Sequence, residues 1–165
     1  ALCPQTGYEI KRSVDRSTRY FWPASYGQIY PELRRLQEEG LVRGREEAQG
    51  GRRRVRYELT PDGERALRDW LASPAAWEEI RDLGLLKLFF AGAAGPEGAL
   101  AAVRAMREAR ERKLELLLAI EAAGDDGKAL DLGPGLALDY GLALYRATID
   151  WCRAAEERLA QEAGA

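Results

Sequence analysis

Residues 25–60, SYGQIYPELRRLQEEGLVRGREEAQGGRRRVRYELT, change their apolar period once, and that change decides the fold. Ile29, Leu33 and Leu36 fall at i, i+4 and i+7, the spacing of one face of an amphipathic helix. Ser25 and Gln28 stand ahead of that run with the S-x-x-Q spacing of a capping box, in which hydroxyl and amide each satisfy an orphan backbone N–H. Gly40 sits where a left-handed residue ends a helix. Pro31 removes one backbone bond and presses its ring on the carbonyl of Gly27, so a tight or bent first turn is expected before a regular helix to about Glu39. Within residues 41–60 the period becomes two: Val55, Tyr57 and Leu59 point one way, Arg54, Arg56 and Glu58 the other. That is a strand. Its partner covers residues 41–47, joined through Gln49-Gly50-Gly51, where a glycine pair supplies the positive φ of a hairpin.

Outward from this stretch, residues 7–20 read as a short amphipathic helix with Ile10 and Val14 on one face. It stops near Tyr20-Phe21-Trp22-Pro23, because Pro23 disfavours a helical Trp22. Helix, turn, helix and hairpin in that order outline a winged helix. Thr60 and Pro61 then open another helix as N-cap and first residue, expected to bury Leu67, Trp70 and Leu71. Ser73-Pro74 marks the boundary between a winged helix-turn-helix unit, residues 1–73, and a helical unit, residues 74–165. Three helices are expected beyond it. The first covers 78–91 with Leu85, Leu86, Phe89 and Phe90, and the second 96–123 with Leu100, Val103, Met106, Leu114, Leu117 and Leu118. A Gly/Asp-rich linker at 124–135 leads to the third, residues 136–162. The fold class is mainly α with a small β-hairpin.

A chain of 165 residues and 18.4 kDa has room for one domain or two small modules. It contains no His, which excludes a Ser-His-Asp triad, a Cys-His pair, an HExxH zinc helix and a His proton shuttle. With only Cys3 and Cys152, a cysteine zinc site within one chain is excluded as well. No metal or other cofactor is implied. Two isolated cysteines suit a reducing compartment, so a cytoplasmic protein is expected. No apolar run reaches the roughly 18 residues of a membrane span, and the start lacks a signal-peptide pattern. Residue 1 is Ala inside a continuing pattern, from which a preceding segment is expected.

The net charge of −2 hides an asymmetry. Residues 1–70 carry 14 basic against 11 acidic side chains, while residues 71–165 carry 11 against 16. One face can therefore be basic and directed toward a polyanion. At about 100° per residue, Gly27, Pro31 and Arg34 lie opposite Ile29, Leu33 and Leu36, flanked by Gln28, Tyr30 and Arg35. That face suits a DNA groove. Gly27 removes bulk, Gln28 can reach adenine edges, and Arg34 guanine edges or phosphates; Ser25, Tyr26 and Tyr30 offer hydroxyls, and Arg35 adds charge. Arg52, Arg53, Arg54 and Arg56 crowd the hairpin with no acid between them, as a wing that tracks phosphates or enters a minor groove would. An ordinary solvated face is the bland account of each residue alone.

The last helix carries two apolar stripes. Leu138, Leu142, Tyr145, Ile149, Cys152 and Leu159 form one; Tyr140, Leu144, Ala147 and Trp151 form the other. One helix pair covers only one stripe, so a homodimer through the C-terminal helices is expected, with the first stripe assigned to pairing. A self-contained bundle covering both stripes is the alternative. Trp77, Phe89, Phe90 and Trp151 could line a pocket for a small aromatic effector, although aromatics at helical spacing are more often core.

Gly7-Tyr8-Glu9-Ile10, the run from Ser25 to Leu33, Glu39-Gly40-Leu41-Val42 and Tyr57-x-Leu59-Thr60-x-x-Gly63 together resemble the PadR-like transcriptional regulators. Phe21-Trp22-Pro23-Ala24 and the helical remainder resemble the larger subfamily, whose C-terminal part is like that of the virulence-activator regulators. The resemblance implies a dimeric winged-helix transcription factor, most often a repressor, on an inverted-repeat operator. It implies that the helix at 25–40 enters the major groove, that the hairpin at 41–60 is the wing, and that the C-terminal helices pair subunits. The family has a helix ahead of its Gly-Tyr-Glu segment, where only Ala1-Leu2-Cys3 stands here. Two other classes are weaker. An enzyme would need a carboxylate pair, but Glu78-Glu79 and Asp125-Asp126 fit capping or linker roles. A protein-interaction adapter would keep the winged helix without binding DNA.

Overall fold

The computed structural model describes residues 3–49, 52–75, 81–124 and 130–163. The chain divides into two compact units, Ala1–Trp77 and Glu78–Ala165, each taken by itself below.

The first unit runs β1 (Gln5–Thr6), α1 (Gly7–Arg16), a 3-10 turn (Thr18–Tyr20), α2 (Tyr26–Glu38), β2 (Val42–Gln49), β3 (Arg52–Leu59) and α3 (Pro61–Ala72). The strands form one antiparallel sheet in the order β1-β3-β2, with Val42 opposite Leu59 and Gln5 opposite Tyr57. Strand β1 is an addition to the expected hairpin: two residues are too few to show a period. Thr6 ends it and caps α1, its hydroxyl accepting from Glu9 N at 3.2 Å while its own N–H donates to Glu9 Oε2 at 2.7 Å.

Helix α2 keeps its expected bounds to within a residue at each end. Ser25 O accepts from both Gln28 N and Ile29 N at 3.0 Å, so the first turn is tight, as Pro31 and Gly27 require. At the other end Gly40 takes φ +73, and Leu41 N reaches back to Leu36 O at 2.9 Å, which closes the helix in a Schellman geometry. Ile29, Leu33 and Val42 form the buried apolar centre. Thr60 binds the hairpin base to α3: its N–H donates to Leu41 O at 3.0 Å, and its hydroxyl accepts from Gly63 N at 3.1 Å. A Cβ on Gly63 would overlap the Leu41 carbonyl, which explains glycine at that position. One expectation is corrected here. Leu67 is half-buried, but Trp70 is 69% exposed and Leu71 is exposed too. β3 ends where α3 begins, and the helix runs on past its main neighbour.

The second unit holds α4 (Leu83–Phe89), a 3-10 turn (Ala91–Ala94), α5 (Gly95–Ala123) and α6 (Leu132–Ala163). α4 is shorter than expected because Asp82 caps it, accepting from Gly84 N at 2.7 Å and Leu85 N at 3.2 Å. Asp82 also takes Arg110 of α5 at 2.5 Å. Burial pushes the Asp82 carboxyl up, but the Leu85 N–H, the Arg110 charge and the Gly84 N–H together hold it below its ordinary value. α6 begins at Leu132, earlier than expected, with Pro134 in its first turn where no backbone donor is needed. Val103, Met106 and Cys152 form the buried centre of this unit, with Leu88, Ala155 and Leu159 packed around them. Arg107 ties α5 to α6 through Glu156 at 2.7 Å. No single helix among the described residues is long and apolar enough to cross a membrane.

Candidate nucleic-acid interface

Burial of Ile29 and Leu33 turns the opposite face of α2 outward, and Ser25, Tyr26, Gly27, Gln28, Tyr30, Pro31, Arg34 and Arg35 are all exposed. Gly27 has space around it: a Cβ there would meet nothing nearer than Ser25 Oγ at 3.7 Å. Its lack of bulk therefore matters to whatever approaches from outside. Tyr30 has a packing role as well, since its ring lies over Gly7, where a Cβ would come within 2.6 Å. Tyr26 stacks on Tyr30 at 6.1 Å between centroids, with the Lys11 ammonium 5.8 Å from the Tyr26 ring. The Gly-Tyr-Glu segment of α1 thus sets the positions of two outward tyrosines.

The polar residues of this face are not equally free. Gln28 Oε1 accepts from Ser25 N at 2.8 Å and from Ser25 Oγ at 3.0 Å, so a Gln28 that reached an adenine edge would lack a free acceptor for a two-bond contact while the cap is closed. Arg35 is held by Glu32 at 2.5 and 3.0 Å and by Glu39 at 2.5 Å. Those hydrogen bonds, Glu32 first, raise its pKa further and lower that of Glu32. Arg34 has no such partner among the described residues.

On the hairpin, β3 presents Arg54 exposed and opposite Glu47. Arg52 and Arg53 open the strand opposite Gln49 and Ala48; their side chains lie outside the described part. Arg56 departs from the expectation of a free wing charge. It donates to Glu47 at 3.1 Å, to Pro4 O at 2.8 Å and to Glu9 at 3.2 Å, clamping β1 and α1 to the sheet. The Glu47 bond is the main cause of its raised pKa. Glu9 sits below its ordinary value first because the Thr6 N–H donates to it. The acids absent between the arginines in sequence are thus supplied across the sheet and from α1. Arg12, Arg16 and Arg43 are further exposed cations without a carboxylate partner among the described residues.

In the second unit, Leu142, Ile149 and Cys152 are buried within the single chain, with Cys152 and Leu159 in the cluster around Val103 and Met106 of α5; Leu138 and Tyr145 are half-buried. The stripe assigned to pairing is therefore occupied by α5 of the same chain. The second stripe is open: Tyr140 is 72% and Trp151 47% exposed, with Leu144 beside them. Among the described residues of this unit, Phe89, Phe90 and Trp151 do not enclose a pocket. Phe89 is 82% exposed, Phe90 meets it edge-on at 5.1 Å, and Trp77 lies outside the described residues. Phe90 instead borders an open apolar depression of about 470 Å³ with Leu86, Ala91 and Ala94.

Comparison with known proteins gives these arrangements a context. Residues 2–69 match the transcriptional regulator PadR-like family, and residues 80–160 match the virulence activator alpha C-terminal domain. The "probable transcriptional regulator Rv1176c" of Mycobacterium tuberculosis is 32% identical, over 98% of this chain and 95% of that protein. The negative transcriptional regulator PadR of Bacillus subtilis is 29% identical, over 88% of this chain and 85% of its own. The crystal structure of B. subtilis PadR with operator DNA superposes with a TM-score of 0.86 at 26% identity, covering 94% of this chain and 91% of that one. The same protein solved with p-coumaric acid gives 0.80, again at 26% identity, over 94% and 90% of the two chains. With a capped, outward-facing α2, an arginine-bearing hairpin and relatives matched over nearly its full length, the chain belongs to the PadR-like family of transcriptional regulators.

Proposed function

We propose that this regulator binds an inverted-repeat DNA operator as a homodimer and represses transcription in the cytoplasm. α2 would lie in the major groove and the hairpin along the backbone or in the minor groove. The observation that carries the reading is the pairing of a smooth outward helix face, Gly27 beside Pro31 and Arg34, with an adjacent arginine-bearing hairpin. Support for DNA as the polyanion comes from B. subtilis PadR, which has been solved with operator DNA, and support for repression from that protein's description as a negative regulator.

Pairing of subunits is assigned to the open stripe of α6, Tyr140, Leu144, Ala147 and Trp151, because the other stripe is already packed on α5. The first unit is accordingly the DNA-binding domain and the second the dimerisation domain. An aromatic acid is the effector class favoured by the p-coumaric acid complex of B. subtilis PadR, with Phe90 at the apolar depression as its first contact to test. Selection of bound fragments from a random duplex pool tests the whole reading. It is expected to enrich two half-sites in inverted orientation, about one helical turn or a multiple of it apart. Enrichment of no sequence, or of a single unpaired half-site, would overturn it.

A further inference from the structure

The face of α2 contains several polar groups but leaves only one with the reach and freedom to read a base by two hydrogen bonds. We propose that Arg34, rather than its neighbour Arg35 or Gln28, is the base-selecting residue of α2, and that the base it selects is a guanine in each half-site. This rests on the DNA-binding reading above.

Gly27 and Pro31 share Arg34's face of the helix, at seven and three residues before it, and neither has a side chain that can reach a groove floor. The backbone can therefore approach closely, and Arg34 projects from a flat part of the surface. Arg35, one residue on, is spoken for: Glu32 and Glu39 hold its guanidinium from both sides along the same helix. Gln28 has given its acceptor oxygen to Ser25, so it can offer N–H donors alone. Glu38, one turn beyond Arg34, is exposed and forms no ion pair with it. A carboxylate there is a poor neighbour for phosphates, which favours a base edge over the backbone as the target of Arg34.

The donor inventory then fixes the base. A guanidinium carries donors only, in a planar fork. In the major groove guanine alone presents two adjacent acceptors, N7 and O6; adenine pairs its N7 with an amino donor, and cytosine offers a donor. An unpaired arginine at the centre of the helix face thus selects guanine.

The test uses the full chain and the duplex enriched from the random pool. Guanines in each half-site are replaced one at a time by 7-deazaguanine, which removes the N7 acceptor and leaves Watson–Crick pairing intact. One such replacement is expected to weaken wild-type binding by about 5-fold or more, the lower end of the range for a bidentate base contact because O6 still accepts, and to leave Arg34→Ala unaffected. Selection repeated with Arg34→Ala is expected to lose preference at that position alone, whereas Arg35→Ala keeps the wild-type preference. Equal losses for Arg34→Ala on operator and random DNA would make Arg34 a phosphate contact and overturn the inference while leaving DNA binding intact. A changed preference in Arg35→Ala, or a 7-deazaguanine effect that persists without Arg34, would overturn it too. If the wild-type chain binds no duplex, the functional reading itself fails and the inference with it.

Discussion

The winged unit and the helical unit differ in what each completes by itself. In the first, close approaches are matched inside one chain: Gly63 beneath the Leu41 carbonyl, Gly7 beneath Tyr30, and Gly44 beside Gln37 and Val55. Its helix starts are closed by Thr6, Ser25 and Thr60, and its most exposed aromatics, Phe21, Trp22 and Trp70, lie at a turn and near the end of α3. In the second, α6 finds a partner for one stripe only. Leu136, Tyr140, Leu144 and Trp151 remain on the surface along one side of that helix. The winged unit is thus specified by backbone fit, while the helical unit leaves an apolar face of α6 exposed, the face proposed above for pairing.

The comparison can be broken most forcefully at Gly63. Gly63→Val should cost upwards of about 3 kcal/mol, because the clash is with backbone that no rotamer change relieves. Urea unfolding followed by near-ultraviolet circular dichroism would register it, and a stability within error of wild type would show that the approach to Leu41 is not needed. Next in size is the open stripe. The wild-type chain is expected to sediment as the proposed dimer at micromolar concentration and Tyr140→Glu with Trp151→Glu as a monomer, since aromatic anchors at interface centres are worth about 2 kcal/mol or more each. The helical content should stay, because the α5-facing stripe is untouched. An unchanged mass would move pairing elsewhere.

A smaller effect is expected at Asp82, which both caps α4 and holds Arg110. Asp82→Ala should lose about 1 kcal/mol, in the range of a lost N-cap. The sign of the pH dependence follows from the carboxyl's depressed folded value: its contribution is present above about pH 4, the unfolded value, and is lost as the pH falls through the folded one. The stability gap between wild type and Asp82→Ala, read from unfolding monitored at helical wavelengths, should therefore be full near neutral pH and shrink as the pH falls below about 4; a gap that stays constant into acid would contradict it. The smallest effect belongs to Arg35→Ala. Its ion pairs are exposed and local to one helix, so duplex affinity and Tm should both stay at wild-type values.

Much of the fold could be read from local signals. The Ser25-x-x-Gln28 cap, Gly40 and the alternation in Val55, Tyr57 and Leu59 each describe a structure spanning a few residues, so each survives in the sequence. What could not be read was non-local. Arg56 meets Glu9 across 47 residues, and β1 is a two-residue strand defined only by its partner. Trp70 and Leu71 lie on the apolar side of α3 by spacing, yet whether a neighbour reaches them depends on where β3 ends. The commitment of Arg35 is different, because Glu32 and Glu39 stand at i−3 and i+4, a pairing spacing legible in the sequence. Which of the two α6 stripes stays open was fixed only by the packing of α5.

The central claim is that the arginines of the hairpin meet the charge of a duplex. It is tested most directly by duplex affinity measured across a range of salt concentrations for the wild-type chain and for the triple Arg52→Ala, Arg53→Ala, Arg54→Ala variant. The account predicts that log K falls linearly with log[salt] and that the variant's slope is shallower by about 0.9 for each phosphate contact removed. Equal slopes for the two chains, or no wild-type binding to any duplex in dilute buffer, would contradict it.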